Sequence, residues 1–506
     1  SNIMNLLGKN ISANLLANAW LTALMLALTP LYIFFLGVES YGLIGFYLSW
    51  IAIVGILDTG ISATAVREIA WLAARPEEKQ RIPVLIRSLE VVYWGVILIL
   101  GVGILAGAWF FGAGWFQLKD LPPEVVRDVL MLMAISLVFQ VPSGLYIGGL
   151  MGFQRQVECS GLLVLFGTVR GFGSIMVLWL ISPDIRIFFL WHIVASVLQT
   201  GVMRWSLWRK VSAGEYPARF SLEMLRSIKG FAGTMMLITV LGIIMSQTDK
   251  MILSRIVSLE AFGFYMLAWT VASGLSRVAT PLIQAFGPQF TELVSIGDEE
   301  GLARQVRLAC QLMSVLIIPP AALIVFLAKP LLFAWLGDEA VSEGVAPILV
   351  VMVIGTVFAS CSFPALSVLY SRKRLRPVVA VSITCLAVLL PLLILAVVYF
   401  GVMGAAFIWG LYGLILYVAY QAYGLQGLPN TGFFSSTVRD FVGPCVISFA
   451  VAGIAGYGLN EVSGQITFIF LFILALLVGW FAALMVSKDL LKIVMEKLKW
   501  QTKTTL

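Results

Sequence analysis

Fourteen long apolar runs follow one another along this 506-residue chain, near 11–36, 40–66, 88–112, 129–151, 158–181, 187–207, 230–249, 261–290, 309–336, 344–370, 377–400, 402–424, 442–459 and 466–487. Each holds roughly 18–30 residues, enough for an α-helix to cross about 30 Å of hydrocarbon with some tilt. Short charged connections separate them. The chain is 60% hydrophobic and only 12% charged, against about 45–50% and about 25% in soluble domains. The expected fold class is therefore an all-α polytopic membrane protein with about 14 transmembrane helices. The first run is too long for a signal-peptide core and lacks a cleavage site, so it reads as a span. Ser1-Asn2-Ile3 ahead of Met4 reads as an expression scar.

An even number of spans puts both termini on one side. With the N-terminus inside, 25 of the 33 Lys and Arg residues fall in inner connections and tails, six fall outside, and Arg170 and Arg277 lie within spans. Basic residues concentrate on the cytoplasmic side, so both termini are expected in the cytoplasm. The net charge of +7 is then a topology signal, and no nucleic-acid partner is implied. Glu39-Ser40-Tyr41-Gly42 opens the second run and Glu260-Ala261-Phe262-Gly263 the eighth, at equivalent positions. Six spans separate them, which predicts two parallel repeats with a substrate site between them. The expected organisation is a six-helix lobe over 1–207, a cytoplasmic linker over 208–229, a second six-helix lobe over 230–425, and two extra helices with a basic tail over 426–506.

Arg277 lies inside the eighth run. A guanidinium in a span costs roughly 2.5–3.5 kcal/mol on insertion scales and normally faces a protein interior or water. Thr270, Ser273, Arg277, Thr280 and Gln284 recur at helical spacing, so one stripe of that helix is polar. This predicts a wet cationic pathway for something anionic. Asn10, Asn14 and Asn18 share one face of the first span, as a wall for sugar hydroxyls or as glue between helices. Arg170, in the fifth span, is a second cationic candidate or a structural pairing. His192 is the sole histidine and is either a proton relay or a hydrogen-bonded packing residue. Asp58 either pairs with an arginine or binds a coupling H+ or Na+. Asp249 and Lys250 are adjacent, do not face each other on a helix, and are expected to serve different partners; Lys250 continues a polar stripe. Prolines at 142, 281, 319, 320, 364 and 391 are expected to kink spans.

Five cysteines lie in or beside apolar runs without metal-ligand spacing, so they read as buried apolar residues, with no metal and no cofactor. There is no Walker A sequence, HExxH or nucleophile elbow. The chain reads as a transporter rather than an enzyme, with an H+ or Na+ gradient the candidate energy source.

Asp249-Lys250-Met251-Ile252-Leu253-Ser254 with Leu259-Glu260-Ala261-Phe262-Gly263-Phe264-Tyr265 resembles the middle motif of Wzx-type polysaccharide flippases, members of the multidrug/oligosaccharidyl-lipid/polysaccharide (MOP) exporter superfamily. Leu36-Gly37-Val38-Glu39-Ser40-Tyr41-Gly42, Leu57-Asp58-Thr59-Gly60-Ile61-Ser62, and the stretch from Pro281 to Gly297-Asp298-Glu299-Glu300 are also similar to that family. The resemblance implies two six-helix lobes in a V around a cationic cavity, in the bacterial inner membrane. It implies alternating access that carries an undecaprenyl-diphosphate-linked oligosaccharide, with Arg277, Arg170 and Lys250 attracting the diphosphate or acidic sugars and the lipid tail left in the bilayer. Glycan polymerase or assembly proteins are the implied protein partners. Three alternatives stay open. A multidrug and toxin extruder should have an acidic cavity; a lipid II flippase should have a cationic one; a membrane glycosyltransferase or ligase should carry a larger outer loop than 113–128.

Overall fold

Lipid supplies no partners for backbone N–H and C=O groups, so each apolar run must close its hydrogen bonds within itself. The computed structural model describes residues 2–73, 75–211, 218–227, 233–429, 431–459, 464–492 and 495, leaving out the side chains at 2–15, 57–61, 63–64, 76, 111, 113, 227, 233–238, 278–285, 433 and 466. Two compact units divide the chain at Gly263/Phe264.

The first unit holds α1 (Asn2–Ala73), α2 (Arg81–Trp115), α3 (Pro123–Gln140), α4 (Ser143–Gly152), α5 (Gln156–Leu180), α6 (Ile185–Lys210), α7 (Leu222–Ser227), α8 (Gly233–Ile256) and the start of α9 (Leu259–Ile296). The second holds the rest of α9, then α10 (Glu299–Leu336), α11 (Glu339–Cys361), α12 (Phe363–Ser371), α13 (Leu375–Gly424), α14 (Phe433–Ser436), α15 (Gly443–Leu459) and α16 (Gln465–Val486). Compactness divides the chain later than the linker expected at 208–229, because α8 packs on α1; of that linker, 212–217 and 228–229 lie outside the described residues.

Among the described residues, ten helices are long and apolar enough to cross a membrane. Two of them, α1 and α13, each carry two of the fourteen apolar runs, and the runs at 230–249 and 261–290 fall on α8 and α9, outside those ten. At 1.5 Å per residue, neither α1 nor α13 can be one straight rod in a bilayer. Both break at a glycine, Gly37 (φ 78°, ψ 170°) and Gly401 (φ 57°, ψ −136°), conformations closed to side chains with a Cβ. At the second break the chain doubles back: a Cβ on Gly404 would lie 2.0 Å from the carbonyl oxygen of Ala396.

Prolines mark other irregularities. Pro142 separates α3 from α4 and Pro364 opens α12, while α10 carries Pro319, Pro320 and Pro330 and leaves helical geometry at Leu327 (φ −121°, ψ 21°). Pro391 lies within α13; the side chain of Pro281 is outside the described residues. Cys159, Cys310, Cys361 and Cys385 are buried and Cys445 half-buried, all as free thiols.

In the first unit α1 packs against α4 and α5, α2 against α3, and α3 against α6. The two related tetrapeptides meet there. A Cβ on Gly42 would sit 2.7 Å from the Leu259 oxygen, and one on Gly263 would sit 2.4 Å from the Val38 oxygen. The two glutamates of the pair serve the same end of the bundle. The buried Glu39 carboxylate accepts backbone N–H groups from Lys119 (2.8 Å), Asp120 (3.0 Å) and Leu121 (3.0 Å), while Glu260 pairs with Lys119 Nζ at 2.9 Å. Glu39→Ala orphans three donors at once. It is expected to cost about 3 kcal/mol, read as a lower thermal midpoint of the purified protein.

In the second unit α10 packs against α11, α15 and α16, and α11 against α13. Asp440 lies in a π-helical stretch, Thr437–Val442, and is buried. It accepts from Gln311 Nε2 (2.9 Å), Ser436 Oγ (3.0 Å) and Arg439 Nε (2.8 Å), so its charge is compensated. Gln311 also donates to Asp489 (3.1 Å) and accepts from the Leu490 N–H (3.0 Å), tying the chain after α16 to α10.

Candidate functional site

Arg170 sits midway along α5, inside the first unit. Four helices supply its surroundings. Its Nη2 donates to Gln199 Oε1 at 2.6 Å and, at the limit of a hydrogen bond, to Ser196 Oγ at 3.5 Å. Its Nε is buried and has no acceptor among the described residues. Its own carbonyl oxygen accepts from Ser174 Oγ (2.6 Å) and Trp191 Nε1 (3.2 Å), which fixes the backbone beneath the side chain.

The polar groups continue away from α5. Gln140 Oε1 accepts from Tyr47 Oη at 2.9 Å and from Ser196 Oγ at 3.5 Å, and Tyr47 Oη lies 2.6 Å from Ser136 Oγ. Tyr32 Oη reaches the Gly171 oxygen at 3.5 Å. Helical spacing explains the convergence: Ser136 and Gln140 are one turn apart on α3, as are Ser196 and Gln199 on α6 and Arg170 and Ser174 on α5.

His192 belongs to the same cluster. Its ring stacks on Phe188 at 4.3 Å and meets Tyr47 edge-on at 6.1 Å. Both ring nitrogens are buried, and neither has a hydrogen-bond partner among the described residues. The ring packs by aromatic contact, and no hydrogen bond to another described residue accompanies it.

Among the described residues Arg170 makes no ion pair, and its side-chain hydrogen-bond partners are an amide and a hydroxyl. A cation lined by amides and hydroxyls keeps its attraction for an incoming anion, since no internal carboxylate neutralises it.

The other expected site residues lie elsewhere. Lys250 is 1% exposed, and its Nζ donates to the Ser246 oxygen at 2.6 Å and to both Asp249 carboxylate oxygens at 3.2 Å. Asp249 and Lys250 thus pair with each other, which corrects the expectation of different partners. The long lysine stem bends back along its own helix, so adjacency on the helix does not keep the charged ends apart.

Arg277 is exposed and forms no hydrogen bond or ion pair among the described residues. Ser273 Oγ donates to the Thr270 oxygen at 3.3 Å and Thr270 Oγ1 to the Met266 oxygen at 2.9 Å, so both hydroxyls bond back onto their own helix. Asn18 is exposed on α1. The side chains of Asn10, Asn14, Asp58, Thr280 and Gln284 lie outside the described residues. Sequence reasoning brought Arg170 and His192 forward but missed Tyr47, Ser136, Gln140, Ser196 and Gln199. Polar pairs at helical spacing within apolar runs were the available signal.

Long apolar helices among the described residues, ten of them able to cross a membrane, around a polar cluster inside the first unit define a membrane transporter as the class. The sequence profile described as polysaccharide biosynthesis protein matches residues 7–294, and that described as MatE matches 233–395. The chain belongs to the polysaccharide biosynthesis protein family, within the MOP superfamily of membrane flippases and transporters.

It is 25% identical over 355 residues, 67% of each chain, to the uncharacterized membrane protein EpsK of Bacillus subtilis (strain 168). It is 20% identical over 390 residues, 74% of this chain and 87% of the relative, to a putative O-antigen transporter of Shigella flexneri. Lipid II flippase MurJ, in an inward closed conformation, shares the fold with a TM-score of 0.72 over 95% of this chain and 98% of its own, at 13% identity. An inward-facing multidrug resistance MATE family transporter of the MOP superfamily does so with a TM-score of 0.60 over 90% and 96%, also at 13% identity.

Proposed function

We propose that this protein is a Wzx-type flippase that moves an undecaprenyl-diphosphate-linked oligosaccharide from the cytoplasmic to the outer leaflet of a bacterial inner membrane. It crosses the membrane fourteen times with both termini in the cytoplasm. The observation that carries the reading is Arg170, held by Gln199 and Ser196 with no carboxylate bonded to it. A cationic drug would be repelled there, whereas a diphosphate would gain charge-assisted hydrogen bonds. Family membership and the likeness to a putative O-antigen transporter support a glycan cargo.

The lipid tail stays in the bilayer while the head group passes the polar cluster. An H+ or Na+ gradient drives the cycle, with Asp58, Asp249 and His192 as the candidate coupling groups. A glycan polymerase on the outer face is the proposed recipient. The fold shared with lipid II flippase MurJ supports a second reading, in which the cargo is lipid II.

The test is transfer of a labelled polyprenyl-diphosphate oligosaccharide across proteoliposomes containing the purified protein, with labelled lipid II in a separate arm. Transfer of labelled lipid II without transfer of the oligosaccharide carrier selects the second reading; no transfer of either defeats both. Arg277→Ala is expected to lower transfer by about tenfold or more, the scale of one lost charge-assisted contact. Normal membrane insertion of this variant is expected as well, because Arg277 bonds no other described residue. Unchanged transfer would remove Arg277 from the pathway.

A further inference from the structure

Two arginines in the first unit converge on one sunken carboxylate, away from the contacts of Arg170. Glu90 lies near the start of α2 with its side chain 4% exposed, whereas the side chains of Arg87 and Arg204 bonded to it are 38% and 44% exposed. Arg87 Nη1 donates to Oε2 at 2.9 Å and Arg204 Nε to Oε1 at 2.6 Å. Tyr146 Oη (2.8 Å) and Trp208 Nε1 (3.2 Å) also donate to Oε1, and Tyr146 in turn accepts from Trp94 Nε1 at 3.0 Å. The Trp208 ring lies 5.2 Å from the Arg87 guanidinium and 5.9 Å from that of Arg204.

This arrangement does three things. The shared carboxylate holds two like charges side by side that would otherwise separate. It does so from below, so the anion is hidden and the cations emerge. One carboxylate against two guanidiniums leaves a net positive charge, and neither arginine makes a second ion pair among the described residues.

Beside the pair runs an apolar stripe. Val194, Leu198 and Trp205 are 47%, 49% and 58% exposed and fall on one face of α6 by their spacing. The Arg209 guanidinium lies over the Trp205 ring at 4.6 Å. Fixed guanidinium forks above an apolar strip match an amphiphile with an oxyanion head and a hydrocarbon chain.

We propose that Arg87 and Arg204 form a receptor for the diphosphate head group of a polyprenyl-diphosphate lipid at the cytoplasmic end of α2 and α6, with the prenyl chain along the α6 stripe, occupied before the head group reaches Arg170. This rests on the lipid-diphosphate reading above. Glu90 and Trp208 are positioning residues; the two arginines touch the ligand.

The test is calorimetric titration of farnesyl diphosphate into the full-length protein in phosphatidylcholine nanodiscs, with inorganic pyrophosphate and phosphatidylglycerol in separate arms. Arg204→Gln and Arg87→Gln are each expected to weaken farnesyl diphosphate binding about tenfold or more. Arg204→Lys, which keeps the charge without the fork, is expected to fall between. Pyrophosphate is expected to bind more weakly than farnesyl diphosphate, since it gains nothing from the stripe.

Thermal melts establish that each variant is folded. Should Arg204→Gln fail to fold, Arg87→Gln carries the test, since Glu90 then keeps Arg204, Tyr146 and Trp208. Wild-type protein that does not bind farnesyl diphosphate, or glutamine variants that bind it unchanged, overturns the inference. Equal competition by phosphatidylglycerol overturns it too, in favour of bulk anionic lipid. Lipid transfer by the wild type with binding unchanged in the variants refutes this receptor alone. Binding that depends on the arginines without lipid transfer refutes the transport reading alone.

Discussion

Arg170→Gln is expected to lower lipid transfer about tenfold to a hundredfold while leaving the protein as stable as the wild type or more so. Both halves come from the same geometry. The guanidinium bonds Gln199 and Ser196, and its Nε is buried without an acceptor among the described residues. A charge held with no bonded carboxylate is a burden on folding, and replacing it with a shorter neutral polar group is neutral or stabilising. What disappears is the cation, and a hydrogen bond to a charged group is worth roughly 1.5–3 kcal/mol, which sets the size of the transfer loss.

Arg170→Lys keeps the charge but not the planar fork, so it is expected to restore part of the rate. Transfer in proteoliposomes and the thermal midpoint in detergent are the two measurements. A glutamine variant that transfers normally removes Arg170 from the pathway. One that melts well below the wild type makes Arg170 a structural residue.

Gly263→Ala is expected to lower stability by about 2–3 kcal/mol, and Gly263→Val to keep the protein from accumulating in the membrane. The new Cβ would sit 2.4 Å from the Val38 oxygen and 2.8 Å from Val38 Cγ1. The methyl group could turn away, but the carbonyl could not. Val38 follows Gly37, whose backbone geometry admits only glycine, so the chain there has little room to yield. Inserting atoms into packed contacts typically costs about 1–3 kcal/mol even where side chains can adjust.

Gly201→Ala is the control. Gly201 is exposed on α6 with nothing within 4 Å of its added Cβ, so there the intrinsic helix preference for alanine acts alone. Membrane yield and thermal midpoints of the three variants decide the matter. Equal behaviour of Gly263→Ala and Gly201→Ala would show that the two related tetrapeptides do not depend on this contact.

The apolar runs and the helices agree because both follow from local chemistry. A run with few charges must satisfy its own backbone hydrogen bonds in lipid, and only its own residues are needed to do so. The breaks at Gly37 and Gly401 and the interruptions at Pro142 and Pro364 are local too, since each residue imposes its own torsion limits. Family membership was legible for a related reason: the motifs around Gly42 and Gly263 recur in order along the chain, and the profile match spans residues 7–294.

The partnerships of polar side chains were not legible in that way. Arg170 stood out as a charge in an apolar run, but its meeting with Gln199, and the link through Ser196 and Gln140 to Tyr47, brings α5 together with α6, α3 and α1. Lys250 turned onto Asp249 rather than away from it, and Glu90 gathered two arginines from α2 and α6. Each of these depends on how helices rotate and pack against one another, and on where a long side chain finds a partner once water is gone. The sequence by itself determined that the chain becomes a series of membrane helices and where they begin, break and end, because backbone hydrogen bonding is short-range. Only the tertiary structure decided which buried charges are neutralised and which remain free to attract an anion, because that depends on contacts between helices far apart in the chain.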